Sequence, residues 1–377
     1  MKGLKPPYLV LATHHAFIDF IVTPRVLFPH RANYISELEG FEAYGEWLYR
    51  QLGCLCKRKF TTDFQLIKNI KHVVDDNKDI MVIYPEARYC NVGTNSTLPG
   101  SVGKLAKMLK VPVVILSMRG NYLMSPIWNL DKRKVHLEAD LTQILTPNDL
   151  EKMSINEINS VISEHFQYDD YRWQKENNIK ITYGKRAQGI HKPLYQCPNC
   201  NSEYRMNSKD HILFCEECGK QWEMTELGEM KALTGETEFS HIPDWYEWER
   251  SNVIKEISKG IYCSQSAVRV EDLRGSNGFI DLGKGTVKHD ENGYVLEFME
   301  GSEIRKYSFT PIEMISVHNE YDYRGKGECI TLSTLDNTFF LYPMSKEFNV
   351  TKVQFATEEL YRLATKDKRD TRIMRIS

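Results

Sequence analysis

Tyr8-Leu9-Val10-Leu11-Ala12-Thr13-His14-His15-Ala16-Phe17-Ile18-Asp19-Phe20 opens with five apolar residues and closes with a polar cluster. A short apolar run bounded by polar residues reads as a buried strand. His14 and Asp19 follow at its carboxyl end, where α/β folds place their ligand sites. The pair suits a base and its orienting carboxylate. An alcohol is a poor nucleophile near neutral pH, so a neutral imidazole must remove its proton during attack. The carboxylate fixes the ring tautomer and stabilises the imidazolium that forms. His15, adjacent to His14, points elsewhere on any regular element and reads as a bystander.

The pattern repeats along residues 1–180. Candidate strands are Tyr8–Ala12, Ile80–Tyr84, Val111–Met118 and Val135–Ala139. Candidate helices are Ser101–Leu109, Asp63–Val74 and one opening at Ser154, which forms a capping box with Glu157. Strands interleaved with helices predict an α/β domain with a mixed, largely parallel sheet. Three more segments sit at strand ends. Gly53-Cys54-Leu55-Cys56-Lys57-Arg58-Lys59 ends in three cations, Tyr84-Pro85-Glu86-Ala87-Arg88 carries a Glu/Arg pair, and Val111-Pro112 opens a strand. In a strand Lys57 and Lys59 share one face and Arg58 takes the other. The two lysines are expected at a solvated edge or on anionic lipid.

These four blocks, over residues 8–120, resemble the glycerolipid acyltransferase family that includes 1-acylglycerol-3-phosphate acyltransferase, the HxxxxD type. That family shows N-H-x-S-x-x-D, G-x-F/I-x-x-R, F-P-E-G-T-R-S and V-P-I/V-V-P in this order. Thr13 and Ala16 stand for the usual Asn and Ser, and Ala87 alone stands for Gly-Thr. The resemblance implies His14 as catalytic base with Asp19 as its partner. It implies that Gly53, Arg58, Glu86 and Arg88 bind the acceptor's glycerol phosphate. The implied reaction moves a fatty acyl group from acyl-CoA or acyl-carrier protein to the hydroxyl of a membrane lysophospholipid. No covalent intermediate is expected. The alternative is a non-catalytic lipid-binding or scaffold protein that retains the fold.

Cys197-x2-Cys200 and Cys215-x2-Cys218, 14 residues apart, are two knuckles that each present two thiolates to one ion. The spacing resembles a zinc ribbon over residues 181–235. Four thiolates close the coordination shell, so structural zinc is expected, supplying folding free energy to a stretch too short to bury a core. Glu203, Asp210, Glu216, Glu217 and Glu223 surround the knuckles, which discourages a nucleic-acid backbone. A third reading, a zinc-ribbon nucleic-acid binder, is therefore disfavoured.

Residues 236–377 turn β-rich. Asn292-Gly293 and Asp336-Asn337 mark hairpins, and Val350–Lys366 is an amphipathic helix with Val353, Ala356, Leu360 and Leu363 on one side. A small β domain closed by a C-terminal helix is expected, similar in architecture to a pleckstrin-homology barrel. Trp245 and Trp248 read as a helix face packed on the core.

Composition bounds these readings. The chain has 377 residues, 41% hydrophobic and 27% charged, with net charge −2 and nine Cys. These are the fractions of ordinary globular protein. No apolar run approaches the ~20 residues a spanning helix needs, and Tyr8–Ala12 is too short for a signal peptide's core. An odd Cys count without a secretory signal predicts a reducing, cytoplasmic setting. Residues 1–190 carry 25 Lys and Arg against 20 Asp and Glu, while the remainder carries net −7. The basic half is expected to face the inner surface of a membrane as a peripheral protein. Only 13 residues precede His14, too few for the membrane-binding segment that the resemblance places there.

Overall fold

The computed structural model describes residues 3–61 and 63–373. They form two compact units, residues 1–181 and 182–377.

The first unit is built on a six-stranded sheet of β1 (Leu9–Ala12), β2 (Ala32–Glu37), β3 (Cys54–Lys57), β4 (Ile80–Ile83), β5 (Val113–Arg119) and β6 (Glu138–Leu145). Its order is β3-β2-β4-β1-β5-β6. Neighbours are parallel except β5 and β6, so the sheet is mixed and largely parallel. β1 lies near the centre, paired with both β4 and β5, and all four of its residues are fully buried. A strand covered on both faces has no polar side to alternate, hence its unbroken apolar run. Val10, Ala12, Ile80, Val82, Val114 and Leu116 pack in one apolar cluster across these three strands.

The helices are α1 (Asp19–Leu27), α2 (Leu38–Tyr44), α3 (Glu46–Gln51), α4 (Phe64–Lys71), α5 (Ser101–Leu109), α6 (Asn121–Met124), α7 (Pro147–Lys152), α8 (Ile155–His165) and α9 (Asp170–Glu176). α5 has the bounds its periodicity predicts. α4 passes into a π-helical turn over His72–Asp76. The capping box of Ser154 and Glu157 starts α8.

Two expectations need correction, and one strand was not expected. The strand expected at Val135–Ala139 is β6, starting at Glu138. Most of its side chains are wholly or partly exposed, so no apolar run reveals it. β2 gave no strand signal because its Ala32-Asn33-Tyr34-Ile35-Ser36-Glu37 pattern is mixed; pairing with β3 and β4 makes it a strand. The cations after Gly53 do not form one strand, since β3 ends at Lys57. Lys59 is buried against Glu37 rather than at a solvated edge, and the Lys57 ammonium donates to the Thr61 carbonyl at 3.0 Å.

The second unit holds two antiparallel sheets. β7 (Met206–Lys209), β8 (Ile212–Cys215), β9 (Gln221–Met224) and β10 (Met230–Ala232) make a four-stranded sheet in the order β10-β9-β8-β7. α10 (Ile242–Ser258) follows. Its Trp245 is fully buried against Trp222, with rings edge to face at 5.1 Å. The Trp245 indole donates to the Gln196 carbonyl at 3.0 Å, and Glu249 accepts the Gln196 N–H at 2.8 Å.

β11 (Ser264–Asp272), β12 (Ile280–Asp290), β13 (Gly293–Glu300), β14 (Glu303–Phe309), β15 (His318–Glu320), β16 (Cys329–Ser333) and β17 (Thr338–Pro343) form a seven-stranded sheet, order β14-β13-β12-β11-β17-β16-β15. Both expected hairpins are present, β12–β13 and β16–β17. α11 (Val350–Ile373) closes the chain. It buries Val353, Ala356 and Leu360, while Leu363 reaches the surface. Lys352 of α11 pairs with Glu203 near the knuckles and with Glu256 of α10, so polar ties run across residue 235 within this unit.

Candidate functional sites

The carboxyl ends of β1, β4 and β5 converge on His14. Its Nδ1 lies 3.1 Å from Asp19 Oδ2, and both residues are buried. The spacing works because the chain folds back after β1. Asp19 begins α1, and its Oδ2 also accepts the N–H groups of His15 at 2.6 Å and Ala16 at 3.0 Å. Asn121, after β5, donates to Asp19 Oδ1 at 2.7 Å. Hydrogen bonds from four donors engage both carboxylate oxygens and prevent the group from rotating. With Nδ1 committed to Asp19, Nε2 is the ring nitrogen left to meet a substrate.

The His14 ring is packed between aromatics. Tyr84 and Tyr89 lie 4.3 and 4.5 Å away by ring centroid, and Phe20 meets it edge-on at 5.6 Å. Tyr84 is itself held by Thr23 at 2.8 Å.

The loop after β4 supplies Glu86. Its Oε2 accepts the His14 N–H at 3.2 Å, Oε1 accepts the Ser96 N–H at 2.6 Å, and the Tyr168 hydroxyl reaches both oxygens at 3.2 Å. Glu86 is buried, and burial raises its pKa against the opposing pull of these bonds. Both carboxylate oxygens are thus engaged inside the protein, and what they position is the His14 backbone. Arg88, two residues on, is also buried. Ala87 between them has φ +55°, a turn that lets two buried charged residues leave the strand end together.

Gly53 and Arg58 lie farther out. Gly53 has φ +81°, and a Cβ there would come within 3.0 Å of the Ala32 carbonyl. Its glycine therefore meets a backbone requirement at the entry to β3. Arg58 follows the carboxyl end of β3. Two strands separate β3 from β1, about 14 Å across at ordinary spacing. Arg58 is at the same end of the sheet as His14, but the strand order does not bring it beside the ring.

His15 points away from His14, as expected, yet it is not idle. It is fully buried, with Nδ1 2.9 Å from Asp170 Oδ2. Burial opposes its charged form, but the Asp170 carboxylate outweighs this and holds its pKa well above the ordinary histidine value. Asp170 Oδ1 accepts the Gly120 N–H at 3.1 Å, so this second pair joins β1, β5 and α9. Gly120 has φ +83°, and a Cβ would sit 2.3 Å from the His136 carbonyl. Asn121, Tyr168 and Asp170 were missed by sequence reasoning. Each lies more than 100 residues from the histidine loop it supports, and nothing local marks them.

In the second unit the four knuckle cysteines come together, with ligand atoms all within 4.8 Å of one another. The Sγ separations are 3.8 Å for Cys197–Cys218 and 3.8 Å for Cys200–Cys215. A tetrahedron with metal–sulfur bonds of about 2.3 Å has edges of about 3.8 Å. The cluster can hold a metal ion such as zinc. Each knuckle is shaped by its backbone: Asn201 N–H donates to the Cys197 carbonyl at 2.8 Å, and Gly219 N–H to the Cys215 carbonyl at 3.0 Å. Asn199 Nδ2 donates to Cys218 Sγ at 3.4 Å, and the Ser202 hydroxyl lies 3.1 Å from Cys200 Sγ. Such outer contacts orient metal-bound thiolates.

No helix among the described residues is long and apolar enough to cross a membrane. No protein-family model matches the chain, and no curated protein matches it in sequence. Among solved structures it is similar to the 1-acyl-sn-glycerophosphate (LPA) acyltransferase PlsC from Thermotoga maritima, at 18% identity and a TM-score of 0.34. That likeness covers 44% of this chain and 66% of the other, just under two thirds of its length.

Proposed function

We propose that the chain transfers an acyl group from a thioester, acyl-CoA or acyl-carrier protein, to the free hydroxyl of a lysophospholipid such as 1-acylglycerol-3-phosphate. The observation that carries this reading is the buried His14–Asp19 pair, with Asp19 saturated by donors and Nε2 left to act. As the hydroxyl oxygen attacks the thioester carbonyl carbon, Nε2 takes its proton. Asp19 stabilises the imidazolium. The tetrahedral intermediate then collapses, the C–S bond breaks, and the thiolate leaves, recovering the proton from Nε2. Glu86 holds the His14 backbone in place. In this reading Arg88 and Arg58 are the cations for the acceptor phosphate, since a guanidinium matches its oxygens. The lipid substrates make the protein a peripheral partner of a membrane surface. The four cysteines hold structural zinc and bind no nucleic acid.

The test is acyl transfer to lysophosphatidate with each donor offered separately. His14→Ala should abolish transfer while circular dichroism stays unchanged. Wild-type turnover in that variant would overturn the assignment. A wild-type chain that binds lysophosphatidate without turning it over would be a lipid-binding scaffold instead.

A further inference from the structure

α1 packs Phe20, Val22, Val26 and Leu27 against the core, yet it also buries polar residues and leaves apolar ones outside. Its buried residues are Asp19, Thr23 and Leu27, four apart, and two of the three are polar. Asp19 faces inward because it holds His14, and Thr23 because it bonds Tyr84. The stripe that faces outward is Phe17, Ile21, Pro24 and Phe28, spaced four, three and four, along the helix and its flanks. Ile21 is 59% and Phe28 81% exposed.

The stripe is not isolated. Phe17 stacks on Tyr44 at the end of α2, and Trp47 of α3, two residues past the turn, is 74% exposed. Inward, Phe17 packs on Phe20, and Phe20 on the His14 ring, at centroid distances of 5.8 and 5.6 Å. An apolar aromatic path thus runs from the outer surface to the candidate base. Exposed apolar clusters of this kind mark interaction sites. Along α1 the charges are one-sided, while α2 carries two partly buried acids, Glu39 and Glu42. Between Phe17 and Arg31 the only acid is the buried Asp19, while Arg25, His30 and Arg31 are exposed. On α3, Glu46 is matched by Arg50, whose Nε donates to it at 2.8 Å.

The geometry points to this face, α1 with the α2–α3 corner, as the surface that docks on an anionic lipid bilayer. Phe, Ile and Trp side chains inserted at the acyl boundary, ringed by Arg, fit an interfacial helix, and each arginine adds attraction to anionic headgroups. The inference rests on the acyl-transfer reading for its choice of a lipid occupant. It adds which surface delivers a bilayer-borne chain to His14.

The test is co-sedimentation of the full chain with phosphatidylglycerol–phosphatidylcholine vesicles and with pure phosphatidylcholine vesicles. Wild type should pellet with the anionic vesicles and less with the neutral ones. Ile21→Ser/Phe28→Ser/Trp47→Ser should lower the apparent partition coefficient at least about tenfold. None of the three residues touches the dyad, so the variant should keep wild-type turnover on a water-soluble, short-chain lysophosphatidate. Equal pelleting of variant and wild type would overturn the assignment, as would failure of wild type to pellet. A wild-type dimer that the variant splits would also overturn it, because a second copy would then be the occupant. If wild type docks but transfers acyl to neither substrate, the docking face stands and the acyl-transfer reading falls.

Discussion

The two candidate sites are assembled on opposite plans. In the second unit, four thiols come from one stretch of 22 residues, two per knuckle, and the hydrogen bonds shaping each knuckle span only a few residues. In the first unit, the histidine loop at residues 14–19 is held by Glu86, Asn121 and Asp170, from three separate later segments, and Tyr168 braces Glu86. The cysteine site is locally encoded, and metal binding would complete it. The dyad is encoded across the fold, and depends on a parallel sheet that brings distant strand ends together. Damage to the first should therefore stay within its unit, and damage to the second should spread through the supports of one loop.

The largest effect should come from the cysteines. Structural zinc contributes roughly 10–16 kcal/mol of binding free energy. Cys215→Ser should abolish metal in elemental analysis and expose the four-stranded sheet to proteolysis. Full metal occupancy in that variant would contradict a four-thiolate site. Next is Asp19→Asn, which leaves the shape but removes the charge facing Nδ1. Acyl transfer should fall roughly 10²- to 10⁴-fold, measured as kcat with KM nearly unchanged. A change confined to KM would give Asp19 a binding role instead.

Asp170→Asn probes a support rather than the site. Removing one partner of a buried pair should destabilise the first unit by about 3 kcal/mol, at the low end because the imidazole can release its proton. The pH dependence has a defined sign. His15 has a folded pKa above its unfolded value near 6.5, so its stabilisation is complete below about pH 6.5. It fades as pH rises through the folded pKa. Urea melts should show the variant's deficit larger at pH 6 than at pH 9, and an equal deficit would mean His15 is neutral. The smallest effect is Gly53→Ala. It places a Cβ at φ +81° against the Ala32 carbonyl and should cost about 1–2 kcal/mol. A loss of turnover without loss of thermal stability would instead place Gly53 at the substrate.

Much of this is legible in the sequence where the interaction is local. The apolar run of β1, the period of α5, the capping box at Ser154 and the Asn292-Gly293 turn depend on neighbouring residues, and all four form as read. The cysteine spacing belongs with them. The His14–Asp19 contact also spans only five residues, because α1 starts at Asp19 itself. β2 was illegible and β6 was placed too early because pairing with neighbouring strands makes them, not their own patterns.

The sequence by itself determined which residues can do chemistry: a histidine with a carboxylate five residues on, and four thiols at metal-ligand spacing. Only the tertiary structure decided how they are used. It saturated Asp19 with donors from loops far along the chain, turned Glu86 inward onto the His14 backbone and paired His15 with Asp170. It also turned α1 so that Asp19 and Thr23 are buried while Ile21 and the flanking Phe17 and Phe28 face solvent. Helical period shows which residues share a face, but the direction of that face is set by what the rest of the fold places opposite it.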